Sequence, residues 1–257
     1  MKKKLSLQTI LAICACVVFL VSCKTVDNLS KSVTEFLKTP CEMEIEKAEA
    51  KYEARDYDSA LQILASAENE CKDYSNTREI YAERGVVLKN KIGEIYLTQA
   101  KDYHEKKQYE ASLKEVNKAL EILPENQEAI QLKSDASYGL AKAKMPKTIA
   151  KIDRLFKDFV KNNLPIQITS YDFSEGKNGN SITCQFQMGM FTFGQLFGCS
   201  DKRVTQYLSA YYDDLLSAMS GYPVKYVNGS FLFILMKTDP NFTPSQKKLV
   251  QSFQRMR

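Results

Sequence analysis

The sequence predicts an α+β protein in two folded parts: an all-α helical-repeat domain, then a small α+β domain with a mainly antiparallel four-stranded sheet. Three observations carry this. Residues 41–146 are rich in Glu, Lys, Ala and Leu, with only Pro124 interrupting before Pro146, and they contain two similar stretches. After Pro146 the pattern changes to short apolar–polar alternations separated by Asn and Gly. With 257 residues, 44% of them apolar and 26% charged, the chain has material for a core in each part.

The chain starts with Lys2, Lys3 and Lys4, continues in a mostly apolar run from Leu5 to Leu20, and reaches Val21-Ser22-Cys23. A basic start, a short apolar core and a small residue before a cut are the parts of a secretory signal. The apolar run falls short of the roughly 20 residues that comfortably span a bilayer as a permanent helix. Leu20-Val21-Ser22-Cys23 resembles the lipobox of bacterial lipoproteins. That resemblance implies that residues 1–22 are removed and that a diacylglyceryl group on the Cys23 sulfur anchors the new N-terminus to a cell-envelope membrane. An ordinary secretory signal or an uncleaved anchor is the alternative. Two or more acyl chains hold durably, since each buried methylene contributes about 0.8 kcal/mol. By the same resemblance Lys24, standing where an aspartate commonly retains lipoproteins in the inner membrane, leans toward the outer one. Without the three signal lysines the formal charge falls from +5 to +2, which is no nucleic-acid signature.

Residues 23–40 read as a Ser/Thr/Lys-rich tether with a short apolar patch at Val33, Phe36 and Leu37. Once Cys14 and Cys16 leave with the signal and Cys23 is lipidated, Cys41, Cys71, Cys184 and Cys199 remain. An even number in an exported protein invites pairing. Order along the chain suggests Cys41 with Cys71 and Cys184 with Cys199, and buried free thiols are the alternative.

Within the helical half, Ala48, Tyr52, Tyr57, Ala60, Leu64 and Ala67 correspond in spacing to Ala100, His104, Tyr109, Ser112, Val116 and Ala119, the second copy ending at Pro124. In each, a helix with a small residue is followed by a break and then by a second helix with residues spaced by four and three. This resembles the tetratricopeptide repeat, a helix–turn–helix unit in which small side chains let paired helices approach closely. Ser112 stands where alanine is usual, the first copy lacks the terminal proline, and the tryptophan common at the repeat's start is absent from the chain. The extra residues between the copies, Thr77 to about Asn90, are expected to lengthen the first helix of the second copy. Asn126 to Lys144 is expected to supply a third, degenerate or capping unit. The resemblance implies a concave face made by first helices that binds a partner protein or peptide. By position Glu49, Tyr52 and Glu53, then Lys101, His104 and Glu105, look toward it.

The part from 147 to 257 opens with an amphipathic helix, Ile149 to Phe159. Strands are expected at Ile166–Phe173 and Ile182–Phe193, around a Gly/Asn-rich turn, and at Tyr222–Val227 and Ser230–Lys237, around Asn228-Gly229. A helix capped by Ser200 or Asp201 lies between the pairs, and a last helix starts near Pro244. The order α-β-β-α-β-β-α suggests helices packed on one face of the sheet. The Met188–Gly194 patch, dense in flexible apolar residues, is expected to pack under the next helix or to contact a partner.

No enzyme chemistry shows. His104 is the sole histidine and has no second His or Cys at metal-ligand spacing. Asp213-Asp214 on a helix point about 100° apart, and of the pair Asp172 and Glu175 the second lies in an expected turn. No phosphate loop, dinucleotide fingerprint or calcium loop is present, so neither a metal nor a cofactor is expected. The expectation is a lipid-anchored envelope adaptor that binds a partner protein or peptide. The rival reading is a lipoprotein holding a small molecule or glycan in its α+β domain, which a partly apolar pocket with convergent polar groups would favour.

Overall fold

The computed structural model describes residues 38–72, 75–177, 179–189, 192–217, 223–237 and 239–256. The signal, Cys23 and the tether as far as residue 37 lie outside the described residues. The chain divides into two compact units, Met1–Ile92 and Gly93–Arg257.

In the first unit, α1 (Pro40–Glu53) and α2 (Tyr57–Glu70) form a helical hairpin. Thr39 and Glu42 make a reciprocal capping box at the start of α1, with Pro40 in its first turn. Asp56 caps α2 by accepting from the Ser59 amide. Ala48, Ala60 and Ala67 are fully buried, and their small side chains let the helices approach while Ile45 and Leu64 fill the space between. Cys41 and Cys71 are joined in a disulfide with their Cα atoms 5.1 Å apart, closing the open end of the hairpin. Next come α3 (Ser75–Ile80), a π-helical stretch (Tyr81–Gly85), and α4 (Val86–Glu105), within which the unit boundary falls. The residues between the copies thus do lead helically into the second copy. The Tyr81 hydroxyl donates to the Leu64 carbonyl at 3.1 Å, tying the π-helical stretch to α2.

In the second unit, α4 turns into α5 (Tyr109–Ile122) through the backbone conformation used between α1 and α2. Arg55 and Lys107 are left-handed, at φ 61° and 57°. The Asp56 amide donates to the Lys51 carbonyl and the Gln108 amide to the Tyr103 carbonyl, both at 2.9 Å, as in a helix C-terminal cap. Ser112, at the position of Ala60, donates its hydroxyl to the Ala100 carbonyl at 2.8 Å, so the buried oxygen keeps a partner.

Beyond these come α6 (Gln127–Lys144) and α7 (Pro146–Lys161). α6 packs on the sheet: the Tyr171 amide donates to the Ser134 hydroxyl at 2.9 Å, and the Tyr138 and Tyr171 rings lie 4.9 Å apart. The expected boundary at Pro146 is therefore a helix junction inside this unit, with Pro146 in the first turn of α7.

The sheet is antiparallel and five-stranded rather than four-stranded, in the order β1-β2-β3-β5-β4, with β1 Ile166–Gly176, β2 Gly179–Met188, β3 Thr192–Cys199, β4 Val224–Asn228 and β5 Phe231–Met236. The expected strand 182–193 is cut at Gly189, whose φ of +65° an L side chain rarely adopts, and the chain returns as β3. Gly194 in β3 is required by close approach, because a Cβ there would lie 2.1 Å from the ring of its cross-strand partner Phe186.

Helices cover both faces, not the one expected. On one face α7 and α9 (Pro244–Gln254) bury Ile152, Leu155, Phe159, Leu249 and Phe253 against Ile182, Phe186, Leu196 and Phe233. On the other, α8 (Lys202–Ser217) brings Val204, Leu208 and Tyr212 against Phe197, Leu232 and Ile234. The Asn228 amide donates to the Phe253 and Met256 carbonyls at 3.0 and 2.7 Å, capping the C-terminal end of α9.

Phe233 is fully buried and stacks between Phe186, at 5.7 Å, and Phe253, at 5.0 Å. Removing such a ring leaves a cavity, so Phe233→Ala is expected to lower stability by about 3–5 kcal/mol in urea unfolding, against less than about 1.5 kcal/mol for exposed Val227→Ala.

Candidate binding surfaces

The residues expected to face a groove fall into two trios, one on each hairpin. On α1, Glu49 accepts two bonds from the Arg84 guanidinium, at 3.2 and 2.8 Å. That pairing raises the Arg84 pKa from an already high value. Tyr52 packs on Tyr57 with ring centroids 5.7 Å apart, and Glu53 is exposed. On α4, Lys101 pairs with Glu128 at 2.7 Å, His104 meets Tyr109 edge-on at 5.5 Å, and Glu105 is exposed. Tyr52 and His104 therefore do the same local work, each closing the end of a first helix onto the tyrosine that opens the second. Glu49 and Lys101 already have charge partners, which leaves Glu53 and Glu105 as the freely presented members.

A cleft of about 260 Å³ opens on the α8 side of the sheet. Its apolar lining is Phe186, Phe193, Leu216, Ile234 and Met236; Thr169, Gln185, Gln195 and Tyr212 supply hydroxyls and carboxamides. Strand alternation places Gln185 and Gln195 directly opposite each other on this face. Tyr212 donates to the Gln195 side chain at 3.4 Å and packs on Phe197, and its pKa is raised chiefly by burial. Phe193 is 52% exposed at the cleft wall, whereas Met188 and Gly194 of the same apolar patch are buried. Gln195 was hidden from sequence reasoning because β3 was not recognised as a strand. The alternation in β2, which marks Gln185 as wet, was the available signal.

A second cleft, of about 280 Å³, follows the seam between α7 and α9 and is lined by Lys151, Arg154, Asp158, Asn162, Ser252 and Arg255 among others. Unlike the first, it is rich in cations.

Cys184 and Cys199 are free and buried, a correction to the expected second pairing. Cys184 belongs to the core under α7 and α9 and Cys199 to the core under α8, so the two thiols point to opposite faces of the sheet. Burial pushes both thiol pKa values up. Of the carboxylates, Asp213 pairs with Lys225, Glu175 pairs with Lys144, and Asp172 is exposed on β1. Among the described residues no group of His, Cys, Asp and Glu is arranged to hold a metal ion, and no helix is long and apolar enough to cross a membrane. Compared with known proteins, the chain matches no family model and no curated protein.

Two solution measurements follow from the buried groups. Cys184 and Cys199 are expected to resist iodoacetamide in the native protein and to be alkylated after unfolding in urea, read by mass spectrometry. Burial pushes the Tyr81 and Tyr138 hydroxyls up to about 12, with Glu68 adding to the effect at Tyr81 and the bond to Asp153 at Tyr138. A folded-state value above the unfolded one, about 10, favours the neutral ring. The stability this contributes is complete below pH about 10 and lost as pH rises toward 12. Spectrophotometric titration is expected to show these tyrosines ionising late, together with alkaline unfolding.

Proposed function

We propose that the chain is a non-catalytic adaptor of the cell envelope, exported, held at a membrane by lipid on Cys23, and binding a partner protein or peptide through its tetratricopeptide-like hairpins. The outer membrane is the favoured site, from Lys24. The observation that carries the reading is the recurrence of one helix–turn–helix conformation at residues 48–67 and 100–119, with small residues buried at matched positions. Recurring helical units of this kind present extended faces suited to polypeptide partners. The Cys41–Cys71 disulfide supports export, since such bonds persist in oxidising compartments. Tethering would raise the local concentration of whatever the hairpins hold.

One observation favours a second reading, the holding of an uncharged small molecule or glycan. The cleft beside α8 combines apolar walls with two carboxamides and a tyrosine hydroxyl, the arrangement that orients a neutral ligand.

Pull-down from detergent-solubilised membranes of the source cell tests the two together. The adaptor reading expects one envelope protein to be enriched by the wild-type chain and by Gln195→Ala. Its recovery should fall about tenfold or more with Glu53→Lys/Glu105→Lys, a loss of about 1.4 kcal/mol. A small molecule retained by the purified chain and lost in Gln195→Ala, with no protein dependent on Glu53 and Glu105, would move the assignment to the second reading. Radiolabelled palmitate incorporation that persists in Cys23→Ala would remove the anchor from either.

A further inference from the structure

Charge in this protein is segregated. Over α7 there are five basic residues against two acidic, and over 244–256 three basic against none. That two-helix layer carries +6, more than the +5 of the whole chain. The segment over the opposite face of the sheet, 201–217, has two basic residues and three acidic, and residues 38–92 have nine basic and twelve acidic. The basic residues of the layer are exposed, because Ile149, Ile152, Leu155 and Phe159 of α7 and Leu249, Val250 and Phe253 of α9 take the inward positions.

At the seam the cations of the two helices converge. Lys151 and Arg154, one turn apart on α7, face Arg255 across the cleft, with Asn162 and Ser252 beside them and Asp158 as the acid of the group. None of the three cations is ion-paired to a described residue. Elsewhere Lys101, Lys144 and Lys225 each have a carboxylate. The Lys151 ammonium lies 6.0 Å over the Phe231 ring, and the residue is exposed.

We propose that this outer surface of α7 and α9 docks on an anionic lipid surface, with headgroup phosphates received at the seam. Exposed cations near an anionic bilayer each contribute about fivefold in affinity, the equivalent of about 1 kcal/mol. Ser252 and the second N–H of the Asn162 amide, whose first donates to the Asp158 carbonyl at 2.7 Å, supply donors to phosphate oxygens beyond the charge. Three unpaired cations from the two elements, within a layer of net charge +6, read charge over an extended surface, which a lipid bilayer presents. The proposal rests on the membrane-held reading for its setting: a lipid on Cys23 would bring the domain to the bilayer, and the basic layer would then fix which face meets it.

The test uses residues 23–257 with Cys23→Ala, the exported chain without its lipid, so that the basic layer is measured apart from the anchor. Sedimentation with vesicles of equal parts phosphatidylglycerol and phosphatidylcholine is expected to remove the protein from solution, and vesicles of phosphatidylcholine alone to leave it there. Lys151→Gln/Arg154→Gln/Arg255→Gln should weaken partitioning about a hundredfold, the product of three such losses. Neutralising the exposed Lys106, Lys114 and Lys202 should change it little, and raised salt should release the wild-type chain. Equal binding to both vesicle types, or equal losses in the two triple variants, overturns the proposal. So does a seam that binds inorganic phosphate, with the same dependence on Lys151, Arg154 and Arg255, while vesicles do not bind. An acidic protein captured through these residues without vesicle binding overturns it as well. Because the tested chain carries no lipid, none of these results bears on palmitate incorporation at Cys23, and a failure of that labelling leaves them standing.

Discussion

A strand that is apolar on both sides must be covered on both sides, and β5 is that strand. Phe231, Phe233 and Leu235 face α7 and α9, while Leu232 and Ile234 face α8, and all five are buried. The run Phe231–Met236 has no polar residue to turn toward water, so it sits between β3 and β4, away from either sheet edge. Once it is interior, the other elements follow. β4 lies outside it through the tight Asn228-Gly229 turn, and α8, which links β3 to β4, covers the second face. Phe233 concentrates the cost of disturbing this arrangement, since its ring is held between rings from β2 and α9.

The hairpins obey a different constraint, that two helices cannot approach closely unless small residues face each other. Ala48 with Ala60 and Ala67 meets it in one hairpin, and Ala100 with Ser112 and Ala119 in the other. The serine is tolerated because its hydroxyl finds the Ala100 carbonyl; without that acceptor a buried hydroxyl would cost about 1–3 kcal/mol. Closing a loop of 30 residues, the Cys41–Cys71 bond restricts the unfolded chain and so favours the folded hairpin.

Most helices were legible because their periodicity and punctuation agree: Pro40, Pro146 and Pro244 each stand in a first turn, and the hairpin turns fall where the two copies break. What was not legible depended on partners distant in sequence. β3 carries two glycines and reads poorly as a strand, yet Gly194 is there to admit the Phe186 ring, a reason visible only when β2 lies beside it. Helices on both faces could not be inferred from element order, because order does not say which side of the sheet a crossover takes. The pairing expected of Cys184 and Cys199 failed because they sit on opposite faces of paired strands, and Gln195 could not be joined to Gln185 before the β2–β3 register was known.

Four groups of the second unit are perturbed chiefly by one cause. A catalytic site shifts its groups toward reactivity near neutral pH, lowering a thiol or raising a carboxyl. Here Cys184, Cys199, Tyr138 and Tyr171 are moved by burial toward their neutral, less reactive forms. The cations of the α7–α9 seam are the reverse: exposed, unpaired among the described residues, and gathered on one layer. Burial thus holds these four groups of the second unit in their neutral forms, while its seam cations lie outside on one layer. Under the function proposed above, the hairpins would meet a polypeptide and the basic layer the membrane.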